Sequence, residues 1–154
     1  MKKTFIVIAF ACIVMAACSD QRYASFDTGI EAQQSLEAKQ GWIPDWFPVT
    51  ASGIQVQYDI DSNCRWFGFK LDKENKRVFV KNFRNLSSDE ARTIKVPKPR
   101  QAEWWWFKGL IQAQPSNEAP FNADFYLRYD GKIPEKAYLA ISKTDDSIFL
   151  WIER

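Results

Sequence analysis

Two short runs in the middle of the chain leave it little freedom over what to fold into. From Ile54 to Asp61 the apolar Ile54, Val56, Tyr58 and Ile60 alternate with Gln55, Gln57, Asp59 and Asp61. From Arg65 to Leu71, Phe67, Phe69 and Leu71 alternate with Trp66, Gly68 and Lys70. A period of two sends successive side chains to opposite faces of a strand. With Ser62-Asn63 between them as a turn, the two runs predict an antiparallel hairpin, its first strand polar on one face.

The flanks add helices before and after the hairpin and strands at the end. Thr28 followed by Glu31 fits a capping box, and Ala32 to Lys39 are good helix formers that stop at Gly41, so a helix is expected from about Gly29 to Gln40. A second helix is expected between Asp72 and Leu86, with Asp72 as N-cap; a strand at Arg77 to Phe83 is the competing reading. Asp89-Glu90 sits at a further helix start, where acids are favoured. Phe125–Tyr129, Tyr138–Ser142 and Ile148–Glu153 read as three strands, the last two joined by a turn at Lys143 to Ser147. Prolines make loops of Gly41 to Pro48, Lys95 to Arg100 and Ser116 to Pro120. The expected fold is α+β, one domain with an antiparallel sheet of about five strands and two helices.

The chain opens Met1-Lys2-Lys3 and continues without a charge from Phe5 to Ala17, a basic start and apolar run of the secretory signal type. That run is well short of the ~20 residues that cross a bilayer as a helix. Met15-Ala16-Ala17-Cys18 resembles the lipobox of bacterial lipoproteins, with Met15 where Leu, Val or Ile is usual. The resemblance implies cleavage before Cys18 and acylation of that cysteine. Two or three acyl chains, at ~0.8 kcal/mol per buried methylene, anchor a protein durably where one chain binds marginally. Ser19 in place of an Asp directly after the cysteine implies the outer membrane. The expected organisation is a signal peptide at 1–17, a lipidated tether at 18–27 and a periplasmic domain at 28–154.

Removing residues 1 to 17 from the chain of 154 leaves 137, enough for one core and too few for two comfortable ones. It also removes Lys2 and Lys3 from the 21 basic residues, which leaves a body balanced against 19 acidic ones. A near-neutral domain lacks the basic footprint of a nucleic-acid binder, so no nucleic-acid partner is expected. With Cys18 acylated only Cys64 remains, and no internal disulfide can form.

The order Gly41-Trp42-Ile43-Pro44-Asp45-Trp46-Phe47-Pro48, Tyr58-Asp59-Ile60-Asp61, Trp66-x-x-Phe69, Trp104-Trp105 and a C-terminal hairpin resembles a family of small bacterial envelope proteins. The resemblance implies a single domain and no particular activity.

The chain has no histidine, which removes Ser-His-Asp and Cys-His catalysis and imidazole zinc sites. Cys64 has no base beside it to make it a nucleophile, since neighbouring Arg65 points to the other face of a strand. Asp59 and Asp61 share a strand face at about 7 Å, a spacing open to glycoside hydrolysis or calcium binding. The plainer reading is two acids at a hairpin end. Seven tryptophans, Trp42, Trp46, Trp66, Trp104, Trp105, Trp106 and Trp151, either close a core that no disulfide staples or offer stacking faces, with Trp46, Trp104 and Trp105 the candidate binding residues.

The function expected is a non-enzymatic binding or envelope-interaction module, without cofactor or metal. It is held to the membrane through Cys18, in the outer membrane facing the periplasm, with an envelope protein or peptidoglycan as partner. One alternative is a glycan-acting hydrolase using Asp59, Asp61 or Asp45. Another is an immunity or inhibitor lipoprotein directed at a periplasmic toxin or lytic enzyme.

Overall fold

The computed structural model describes residues 20–97, 123–129 and 135–153. Cys18 and the run Trp104 to Trp106 lie outside them. The described chain runs β1 (Gln21–Thr28), α1 (Gly29–Gln34), α2 (Leu36–Lys39), β2 (Ser52–Asp59), β3 (Arg65–Lys70), α3 (Lys73–Val80), β4 (Arg84–Asn85), α4 (Ser88–Thr93), β5 (Ala123–Arg128), β6 (Lys136–Ser142) and β7 (Ile148–Glu153). All seven strands form one sheet in the order β1-β2-β3-β7-β6-β5-β4. Every neighbouring pair is antiparallel. The architecture is mostly β with a few short helices, which corrects the expected α+β fold of five strands and two helices.

The two additional strands left little hydrophobic trace. β1 falls on residues expected to be a tether, yet it pairs with β2 in unbroken register from Gln21↔Asp59 to Thr28↔Ser52. Of its side chains on the core face only Phe26 is strongly apolar, and it is only half-buried. On the other face it is tied to β2 by polar groups. Gln57 Nε2 donates to Gln21 Oε1 at 2.8 Å, Gln21 Nε2 donates to Asp59 Oδ2 at 3.0 Å, and the Tyr23 hydroxyl donates to Gln55. Such a strand is held by backbone and amide hydrogen bonds, which apolar alternation does not register. β4 is two residues long and pairs Arg84↔Leu127 and Asn85↔Tyr126.

The expected helix at Gly29 to Gln40 divides at Ser35. That hydroxyl donates to Ala32 O at 2.7 Å and accepts from Ala38 N at 3.2 Å, so Ser35 closes α1 and caps α2 in an extended conformation. A serine can offer the backbone this alternative to continuing a helix. The capping box of Thr28 and Glu31 and the N-cap at Asp72 form as expected, as does the turn between β6 and β7. The helix after Asp72 ends at Val80.

The central strands are buried on both faces, which is why they read as nearly continuous apolar runs. Ile54, Val56, Phe67, Phe69, Leu139, Ile148 and Leu150 point into the larger core, roofed by Phe47 and Phe79 from the connecting segments. Phe47 lies 5.2 Å from Phe67 and 5.0 Å from Phe69, centroid to centroid. The opposite face carries Trp66, Ala140, Phe149 and Trp151, covered by Ile94 and Val96. Trp66 Nε1 donates to Pro97 O at 2.8 Å, pinning that covering strap.

The roof depends on a close backbone approach at Gly29. A Cβ built there would lie 2.2 Å from Pro48 O and 2.7 Å from Val49, while Gly29 N donates to Ala51 O at 2.8 Å. No side chain can enter without moving the end of the aromatic segment. Gly29→Ala is therefore expected to lose about 1–3 kcal/mol in urea unfolding; a stability unchanged from the parent would contradict this packing.

Candidate functional site

Among the described residues a groove of about 570 Å³ lies between α3 and the far ends of β5 and β6. Its volume is in the range of ligand sites. The position follows from topology. β3 ends at Lys70, and Asp72 immediately caps α3 by accepting from Asn75 N at 2.8 Å, so the helix starts at that end of the sheet. The turn at 143–147 lies at the same end, because Ile148 pairs with both Phe69 and Ile141.

Val80, Tyr126 and Ile141 supply the groove's apolar surface. Around it stand Lys73, Glu74, Lys76, Arg77, Asp124, Lys143 and Asp146. Six of these seven charges are joined in ion pairs. Lys76 meets Asp146, tying α3 to the β6–β7 turn; Lys143 Nζ is 2.8 Å from Asp124; Arg77 is 2.7 Å from Glu74. Lys73 enters none of these pairs. Bonding to Asp124 holds the Lys143 ammonium above its ordinary pKa. Burial, with the nearby Asp124 charge, raises the Tyr126 phenol. The arrangement offers an apolar surface framed by charges of both signs, suited to a partner that carries both characters.

The residues singled out in the sequence have other employments. Asp59 accepts from Gln21 Nε2 and, through Oδ1, from the amides of Asp61 at 3.0 Å and Ser62 at 3.1 Å. The bond from Gln21 does most to hold its carboxyl below the usual range; burial opposes it, and the bonds from the turn amides add to the lowering. It closes the β2–β3 turn. Asp61 is exposed on that turn, and Asp45 is exposed in the aromatic segment, in a different part of the fold. Cys64 is a free, half-buried thiol against the second core cluster. Among the described residues no group of three or more metal-binding side chains comes together.

Four of the tryptophans can be placed. Trp66 and Trp151 are buried. Trp42 stacks on Tyr58 at 4.5 Å and Trp151 on Tyr138 at 5.2 Å. Trp46, the candidate binding residue within the described chain, packs at the rim of the larger core. Its ring lies 6.4 Å from Phe79 and 5.9 Å from Phe83, with the Arg128 guanidinium 4.6 Å above it.

The groove was not visible in the sequence, because its residues come from α3, β5, β6 and a turn, and each charge alone reads as solvated surface. Another missed group is Glu153, whose carboxyl is raised mainly by burial despite a hydrogen bond with Tyr138 and the charge of Lys136.

A family model for the YbbD head domain matches residues 20–70, about a third of the chain. That span runs from β1 through the aromatic segment to the end of β3 and excludes the groove-forming α3, β5 and β6. The similarity to a small bacterial family stands over those residues; a lipid anchor and an envelope address do not follow from it. No curated protein and no solved structure matches the chain.

The bonds to Asp59 make a pH prediction. A carboxyl whose folded pKa lies below its unfolded value near ~3.9 stabilises the fold above that value, and the contribution is lost as pH falls through the folded pKa. Asp59→Asn is thus expected to be less stable than the parent at pH 7, with the gap closing below about pH 4. Thermal unfolding at both pH values measures it, and a gap independent of pH would contradict the assignment.

Proposed function

We propose that the protein is a lipid-anchored periplasmic binding module, non-enzymatic, that uses the groove between α3 and β5–β6 to hold a segment of an envelope protein. The observation that carries this reading is the apolar surface of Val80, Tyr126 and Ile141 inside a frame of ion-paired side chains. Apolar contact supplies affinity, and charges of both signs fix which segment fits and in what register. A peptide segment with an apolar side chain flanked by an acid and a base matches that frame better than a uniformly polar glycan strand does.

The signal-type N-terminus and the lipobox-like Met15-Ala16-Ala17-Cys18 support the anchor and the periplasmic face of the outer membrane. The structural employment of Asp59 favours binding over glycan hydrolysis, since the turn is built on that carboxylate.

A photo-crosslinking side chain at Lys73 in the full-length chain, expressed in its own envelope, tests the reading against a control at Leu36, which is 62% exposed on α2. A discrete protein adduct is expected from 73 and not from 36. Val80→Asp, which puts a charge into the apolar surface, is expected to reduce that adduct about tenfold, a loss of ~1.4 kcal/mol in affinity. Equal adducts from both positions would contradict the groove. Release of soluble fragments from peptidoglycan, abolished in Asp59→Asn, would replace the binding reading with an enzymatic one.

A further inference from the structure

We infer that the β2–β3 turn, led by Ile60, is the surface that rests on the lipid bilayer, and that the α3 groove therefore faces away from the membrane. The inference rests on the proposed acylation of Cys18.

Its basis is how close to Cys18 the pairing of β1 lies. Ile60 N donates to Asp20 O at 3.3 Å, and Gln21 is already paired with Asp59. Asp20 is two residues after Cys18. At no more than about 3.6 Å per residue, two residues span about 7 Å, on the order of the thickness of one headgroup layer. An acyl-bearing Cys18 must lie in the interface, so the start of β1 is held beside it. Whatever adjoins the start of β1 is held there too, and the β2–β3 turn adjoins it directly.

The turn has the chemistry for that position. Ile60 is 45% exposed at its head, an aliphatic side chain with no core to enter. Arg22 is exposed on β1, one residue further along, where a cation meets anionic headgroups. Asp20, Asp59 and Asp61 stand around the same turn, so net charge supplies no attraction to anionic headgroups and the apolar tip carries the contact.

The topology settles the rest. Arg65 opens β3 at the turn and Lys70 closes it, five residues further on and about 17 Å away at 3.4 Å per residue. Lys73 of α3 and the 143–147 turn sit beyond that second end. A groove at the membrane-distal end is open to partners in the periplasm, and the two-residue distance from Cys18 to Asp20 keeps it there.

The test uses the full-length acylated protein in vesicles of phosphatidylethanolamine and phosphatidylglycerol containing a headgroup-level nitroxide lipid. With Cys64→Ser removing the native thiol, an environment-sensitive fluorophore is placed at Ile60→Cys or, as a second turn position, Ser62→Cys. The control is Val78→Cys on α3, 51% exposed. Quenching at 60 and 62 at least twice that at 78 is expected. Equal quenching at all three positions, on protein that carries a metabolic fatty-acid label lost in Cys18→Ala, overturns the orientation and leaves the anchor intact. Absence of the fatty-acid label overturns the anchor and the orientation together.

Discussion

The pairing of β3 with β7 is the joint on which the structure depends. Five register pairs, from Arg65↔Ile152 to Phe69↔Ile148, are the place where the sheet formed by β1–β3 joins the sheet formed by β7, β6, β5 and β4. The joint is packed from both sides. Phe67↔Leu150 lies in the larger core and Trp66↔Trp151 in the smaller, with all four side chains 2% exposed or less. Without a disulfide among the described residues, cohesion at this line rests on apolar burial and on the backbone bonds that burial shields.

Other contacts converge on the same line. Phe47 from the aromatic segment packs on Phe67 and Phe69, and Arg65 donates to Gly41 O at 3.1 Å while meeting Glu135 at 2.5 Å. The Arg65 side chain is 8% exposed and that of Glu135 27%. Losing either partner of such a pair leaves a charge poorly solvated, so the interaction contributes more to where the segments sit than to net stability. Gly41, at φ +83°, turns the chain so that its carbonyl reaches Arg65 and Trp42 reaches Tyr58. The Lys76–Asp146 pair crosses the joint again at the groove end.

The elements legible in the sequence were those with a strong local signal. The hairpin at 54–71, the three C-terminal strands and the N-caps at Thr28 and Asp72 each announced themselves within a few residues. β1 did not, because it is held by backbone pairing and by bonds from Gln21 and Tyr23 to Gln55, Gln57 and Asp59 of β2, and a segment with Phe26 as its one strongly apolar core-face residue looks like a linker. Gln57 illustrates the point: it occupies a position in the polar alternation of β2, yet it is 1% exposed, lying between Tyr23 of β1 and Trp66 of β3. The candidate site was the least legible part. Asp59 and Asp61 stood out because they are neighbours in sequence, whereas Lys76 and Asp146 meet only through the fold.

A domain in two halves joined along one line gives the groove and the start of β1 a fixed relation only if the joint does not open on its own. The β1 end belongs to one half, β5 and β6 to the other, and α3 bridges them. Native-state hydrogen exchange on the full-length chain tests this most directly. The amides of β2, β3, β7 and β6 are expected to exchange through a single, most protected opening, with one shared free energy across the denaturant series. Two separate openings, one confined to residues 21–70 and the other to 123–153, would contradict the account.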